Sequence, residues 1–320
     1  MKRVRRILVP VDFSGESASA LRAAVRLAPR TGARIDLLHV LQVPHGPLQA
    51  FRTLREMRLE GWGVEEDTLA AWAKRVEKAG VKISIWVAMG KPGEEIVLAA
   101  DQLDVDLVVM GNRGLSGLRG VLLGSTAAET VRSAAVPVLT IGAGAAFDPR
   151  RVLVADDLGA GGLAAIGAAR SMFDPGTARV LLLHVIDPGA LVYTGVSEWG
   201  WAPTPNVPPG DPCRVRADLE KRATGLRKIG FRVECLVAEG SPAATIAEIA
   251  EKWKARTLVL ATHQRTALAR LAVGSTAETL VRRAICPVLT VKSVPRALRL
   301  EKSRAVAATR PGNAVIPVHR

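Results

Sequence analysis

The stretch Gly111-Asn112-Arg113-Gly114, then residues 115–123, then Gly124-Ser125-Thr126 decides how this chain is read. It follows the apolar run Leu107-Val108-Val109-Met110, which reads as a buried strand, and its Gly-Ser pair opens an apolar-periodic stretch that reads as a helix. Glycine lets a backbone take positive φ and come close to a ligand. The free N–H groups at a helix start, with the helix dipole behind them, favour an anion. Strand, glycine turn and Gly-Ser helix start together make a phosphate cradle. No Lys precedes Ser125, so this is not a Walker A loop. Amides, hydroxyls, solvent cations or an arginine of the loop (Arg113 or Arg119) would have to meet the phosphate charge.

Working outward, the second half of the chain repeats the first. Arg151-Val152-Leu153-Val154-Ala155-Asp156-Asp157 mirrors Arg6-Ile7-Leu8-Val9-Pro10-Val11-Asp12, and Leu-Leu-His-Val stands at both 37–40 and 182–185. Gly240-Ser241-Pro242 answers Gly90-Lys91-Pro92, and Gly274-Ser275-Thr276-Ala277 answers Gly124-Ser125-Thr126-Ala127. Self-similarity on this scale means two homologous domains in tandem, which suits 320 residues. We expect them at 1–145 and 146–293, with a basic extension over 294–320 that is disordered.

The spacing G-x2-G-x9-G-[ST] at Gly111, Gly114, Gly124 and Ser125 resembles the ATP-binding branch of the universal stress protein family. Ile-Leu-Val-Pro-Val-Asp at 7–12, Leu-Leu-His-Val at 37–40 and Pro-Val-Leu-Thr-Ile at 137–141 stand in that family's order. The resemblance covers both halves. It implies ATP as ligand, with Mg2+ bridging its phosphates. It assigns Asp12 and the backbone of Val40 to the nucleoside end, and Gly111, Gly114, Gly124, Ser125 and Thr126 to the phosphates. Pro10 and Met110 would line the pocket. Read without the resemblance, Asp12 is equally a helix cap and the glycines are equally tight turns or packing sites.

Each half alternates apolar runs with amphipathic stretches. In the first, strands are expected near 6–11, 34–40, 82–87, 106–110 and 137–141, and helices near 15–30, 64–79, 92–102 and 124–134. Continuous apolar strands are covered on both faces. Ser14 is placed to cap the first helix and Pro92 to open the third. The pattern predicts an α/β fold, two doubly wound domains each with a five-stranded parallel sheet. The resemblance implies the strand order 3-2-1-4-5, with the ligand crevice between strands 1 and 4.

The second half departs from the motif. Ala261 and Gln264 stand where the loop glycines belong, although Asp157, Gly274 and Ser275 remain. A position that requires positive φ would strain Gln264. The expectation is a good nucleotide site in the first half and a degenerate one in the second. Gly159-Ala160-Gly161-Gly162-Leu163-Ala164 fits a dinucleotide fingerprint, but Asp156, Asp157 and Leu158 separate it from its strand, so it reads as a helix entry.

Composition sets bounds. The chain is 48% hydrophobic, with no apolar run long enough to span a membrane, and Asp12 interrupts the first one too early for a signal peptide. Cys213, Cys235 and Cys286 lack metal-ligand spacing and read as reduced thiols, which suggests a cytoplasmic protein. Most of the net charge of +14 lies at the two ends, and the tail after Lys292 carries no aromatic residue to stack on bases. Nucleic-acid binding is therefore disfavoured. His39 and His184 read as strand-end packing residues. Trp199 and Trp201, ahead of a proline-rich run at 203–212, suit either a lid or plain packing.

No triad or paired-carboxylate arrangement is visible, so efficient turnover is not expected; slow ATP hydrolysis is the most the motif suggests. The leading expectation is an ATP-binding stress-response or regulatory protein read by an unidentified protein partner. The alternatives are a slow ATPase or nucleotide-dependent enzyme, and a nucleotide-independent scaffold acting through its basic ends. The last strand of each half should be a sheet edge, which suggests an internal pseudo-dimer of the two domains and leaves a homodimer open.

Overall fold

The computed structural model describes residues 4–42, 64–114, 123–142, 144–188, 212–262, 275–283, 285–293 and 315–318. They form two compact units, one from 2–146 together with 294–320, the other from 147–293. In the first unit the order is β1 (Arg6–Val11), α1 (Gly15–Thr31), β2 (Arg34–Leu41), α2 (Val64–Lys78), β3 (Ile83–Met89), α3 (Pro92–Gln102), β4 (Leu107–Gly111), α4 (Ser125–Ser133) and β5 (Val138–Ile141). The parallel strands are ordered β3-β2-β1-β4-β5, the order that the resemblance implied. Ser14 caps α1, its hydroxyl accepting from Ser17 N at 3.1 Å, and Pro92 opens α3.

The strands that read as continuous apolar runs are the buried ones. Ile7, Leu8, Leu37, Leu38, Leu107 and Leu139 are wholly enclosed, each removal from water contributing about 1.5–3 kcal/mol. One charge lies among them. Asp36 is fully buried; it accepts from Arg6 Nε at 2.5 Å, Arg6 Nη2 at 3.0 Å and Trp86 Nε1 at 2.8 Å, tying β1, β2 and β3 together. Gly90 after β3 has φ 144°, a conformation other residues rarely adopt, and its repeat counterpart Gly240 has φ 140°.

The second unit repeats the plan: β6 (Arg151–Ala155), α5 (Ala160–Met172), β7 (Arg179–Ile186), α6 (Pro212–Arg227), β8 (Arg232–Glu239), α7 (Pro242–Lys252), β9 (Thr257–Thr262), α8 (Ser275–Arg283) and β10 (Val288–Lys292). Its strand order is β8-β7-β6-β9-β10, again parallel. Leu153 and Leu182 centre its core. Among the described residues no helix is long and apolar enough to cross a membrane.

The basic extension, expected to lack structure, contributes β11 (Ile316–Pro317). It runs antiparallel to the outer edge of β3, with Ile316 opposite Val87 and Pro317 opposite Trp86. The reason lies in its composition, because Val315-Ile316-Pro317-Val318 is an apolar island in an otherwise charged tail.

Candidate functional site

The crevice of the first unit opens where its central strands part. β1 and β4 pair only at Ile7↔Leu107 and Leu8↔Val108, so the backbone from Val9 and Val109 onward diverges. β1 and β2 stay paired to Val11↔His39, which leaves Val40 one residue beyond the end of β1. Asp12 follows immediately. Its Oδ1 accepts from Ser14 N at 3.1 Å and Ser14 Oγ at 2.6 Å, so the carboxylate does brace the turn into α1. Its Oδ2 points the other way, towards the glycine loop. A Cβ added at Gly114 would stand 2.4 Å from that oxygen.

Gly111 ends β4 against the first turn of α1. A Cβ there would lie 2.8 Å from Glu16 Cβ and 3.1 Å from the Glu16 carbonyl carbon. Of the two freedoms glycine offers, the motif uses close approach, since none of Gly111, Gly114 and Gly124 has positive φ. The first two are glycine because other groups come so close. Asn112, which sequence reasoning passed over, staples the loop: its N–H donates to Ile141 O at 2.9 Å and its carbonyl accepts from Gly124 N at 2.8 Å. It sits between the two glycines, the one signal that could have marked it.

Gly124 is the N-cap of α4, with φ −71°, and offers no side chain to the helix's first amides. Ser125 is exposed and Thr126 half-buried at that start. α1, capped by Ser14, shows what α4 lacks. Arg113 packs its Cα 3.5 Å from where a Gly124 Cβ would be. Among the described residues its Nε is buried without a partner, as is Asn112 Oδ1. Pro10 and Met110 are both buried, on β1 and β4. Asp12, Gly111, Gly114 and Gly124 are thus brought to one place, and Arg119 lies outside the described residues.

Behind the loop, Phe13 has φ 65°, and its ring centre lies 4.7 Å from that of His39, tilted, and 5.8 Å from that of Trp72 of α2, edge to face. The His39 ring bonds Val11 O at 2.9 Å, a satisfied packing histidine as expected. His184 does the same to Asp156 O at 2.7 Å.

The second unit keeps this frame and changes its contents. Leu158 has φ 58°, matching Phe13. β6 and β9 pair at Val152↔Thr257, Leu153↔Leu258 and Val154↔Val259, so the strands hold together one residue further and the crevice is shallower. Asp157 Oδ1 accepts from Gly159 N at 2.8 Å and Gly162 N at 2.6 Å, replacing the absent cap side chain of α5. Where the first unit has Val11 and Trp72, the second has Asp156 and Arg222, joined at 2.7 Å. Arg222 also donates to Gly159 O at 3.2 Å and to Leu158 O, clamping the turn. Burial raises the Asp156 carboxyl above the usual carboxylate range, outweighing the guanidinium beside it.

One glycine of the apparent dinucleotide fingerprint makes room for a neighbour. A Cβ on Gly162 would overlap Asp156 Oδ1, and Gly161, on buried helix face, stands where the first repeat has Glu16. Ala261 takes the place of Gly111 but lies inside its strand, since β9 runs one residue further, to Thr262. Gln264 and Gly274 lie outside the described residues, as do Trp199 and Trp201; Ser275 is the first residue of α8. None of the three cysteines is in a disulfide. Among the described residues no three acidic, His or Cys side chains converge as a metal site.

The universal stress protein family model matches residues 3–142 and again 149–292. A universal stress protein from Mycolicibacterium smegmatis is 28% identical over 307 residues, covering 89% of this chain and 96% of its own. The crystal structure of a universal stress protein from Archaeoglobus fulgidus superposes with a TM-score of 0.69 at 22% identity, covering 90% of this chain and 98% of that one. A universal stress protein solved in complex with cAMP is 27% identical, with a TM-score of 0.36, covering 44% of this chain and 99% of that chain.

Proposed function

This chain belongs to the universal stress protein family with two copies of its domain, and on that premise we propose that it is a stress-response regulator whose first domain binds ATP. The observation that carries the reading is the meeting of Asp12 Oδ2 with Gly114, where any side chain would collide with the carboxylate. Only glycine lets the loop come this close to Asp12, and the uncapped start of α4 lies beyond it. Asp12 and the Val40 backbone take the nucleoside end, between Pro10 and Met110. Gly111, Gly114, Gly124, Ser125 and Thr126 take the phosphates. The unpartnered Arg113 Nε supports an anion there. Mg2+ suits the same reading as a passenger, coordinated by phosphate oxygens and water, since it needs few protein ligands.

The second domain is the degenerate copy. Asp157 is committed to capping α5, Ala261 replaces the first loop glycine, and Arg222 locks the turn. Occupancy itself is then the signal: bound nucleotide favours one arrangement of the loop, and a partner protein reads the surface it creates. Calorimetric titration of nucleotide-stripped protein with ATP, ADP, AMP and cAMP, with and without Mg2+, tests this. We expect about one ATP per chain, weakened at least tenfold in Gly114→Ala. No binding of any of the four nucleotides would overturn the reading, and two equal strong sites would overturn the assignment of the second domain.

A further inference from the structure

The outer edge of β3 carries an inference independent of the nucleotide site. β3 is the last strand on its side of the first sheet until β11 joins it, and an open strand edge is a row of unpaired N–H and C=O groups ready to template another strand. The chain's own C-terminus supplies that strand. Val318 N–H donates to Ile85 O at 3.1 Å, and Val315 N–H reaches Gln102 Oε1 at 3.3 Å. Beside this pairing runs a groove of about 300 Å3 lined by Glu77, Ile83, Ser84, Ile85, Trp86 and the tail's own Pro317 and Val318. Trp86 is fixed in place by its bond to the buried Asp36.

The seat is shallow. Only two residues of the tail are in strand register, Pro317 has no N–H to give, and Ile316 remains 53% exposed. Such a strand is held by its tether more than by its contacts. Residues 294–314 separate it from the second domain, and a chain of that length reaches up to about 70 Å when extended. The identical strand from another molecule makes identical contacts. Exchange of one element between copies is a low-cost route to a dimer.

We propose that the β3 edge is a strand-docking site whose intermolecular occupant is the C-terminal segment of a second copy of this chain, so that two molecules pair by exchanging tails. Within one molecule the tail keeps the edge covered; at higher concentration it joins two. Sedimentation equilibrium over a hundredfold concentration range tests this on the full chain, on a chain ending at Gly312, and on Val318→Pro, which removes the N–H bonded to Ile85. In parallel, a fluorescent peptide of residues 312–320 is titrated into the full and shortened chains.

The expected result is a concentration-dependent dimer for the full chain only. The peptide should bind the shortened chain at least tenfold more tightly than the full one, because the tethered strand competes. Its Val318→Pro version should not bind. A full chain that stays monomeric throughout, even if the peptide binds, refutes the exchange. So does a dimer that survives truncation, or equal binding of the Val318→Pro peptide.

Discussion

Replacing Gly111 by alanine probes the packing on which the site is built. The added Cβ would sit 2.8 Å from Glu16 Cβ, 3.0 Å from Arg113 O and 3.1 Å from the Glu16 carbonyl carbon. Carbon atoms pack best at about 3.5–4.0 Å, so the overlap approaches an ångström. Two of the three atoms are backbone, so no rotamer relieves it and α1 must back away from β4. Overpacking of this kind costs about 1–3 kcal/mol, and the reduced freedom of the unfolded chain returns roughly 0.4–1 kcal/mol. A net loss of about 1–2 kcal/mol corresponds to a fall in Tm of roughly 3–8 °C for a domain of this size.

The second repeat shows the compensated arrangement, Ala261 with Gly161. Glu16→Gly in the first domain removes the Cβ that the new alanine meets, at a helix-propensity cost of up to about 1 kcal/mol. The double variant Gly111→Ala/Glu16→Gly should therefore be more stable than the sum of its single changes by about 1 kcal/mol. Scanning calorimetry of all four proteins, with the first domain's transition fitted separately, closes the cycle. Additivity within about 0.5 kcal/mol, or a Gly111→Ala protein that melts with the parent, would falsify the packing argument.

Asp36→Ala leaves Arg6 and the Trp86 indole without their buried acceptor and should cost about 3–5 kcal/mol, read as an early first-domain transition in urea. With a thiol reagent at pH 8, Cys213, exposed, should react first. Burial pushes Cys235 and Cys286 up to about 11, so both should lag until the protein is unfolded; three thiols reacting at one rate would contradict this. Asp156 binds its proton more readily folded than unfolded. Its contribution to stability is therefore full below the ordinary value of 3.8 and is lost as pH rises through the raised folded value. Carboxyl NMR should place the Asp156 midpoint above 3.8, and a midpoint at or below it would show that Arg222 outweighs burial.

The strands and helices were legible because both faces of each central strand are covered, so the sequence shows unbroken apolar runs such as Leu107 to Met110. The motif glycines were legible as residues but not in their purpose. Positive φ is a local property that a reader of sequence thinks of first, whereas the demand on Gly111 comes from Glu16 and that on Gly114 from Asp12, about a hundred positions away. Sequence separation also hid the Asp156–Arg222 pair, 66 residues apart, which joins a strand end to α6. β11 was hidden for another reason. A two-residue strand in an apolar island of four carries too little pattern to declare itself, and only the open edge of β3 gives it a partner.

Phe13 and Leu158 share a left-handed backbone, at φ 65° and 58°, although only one of their domains retains the loop glycines. A bulky residue in that region is strained by about 1–3 kcal/mol, and each copy tolerates it. The turn therefore belongs to the architecture inherited by both copies and does not await a ligand. Asp12 is aimed before anything arrives, so the nucleotide proposed for the first domain would meet a carboxylate already in position. Divergence of the second copy then had only to redirect a fixed lever: the same turn that presents Asp12 to the crevice now holds Asp157 against its own helix.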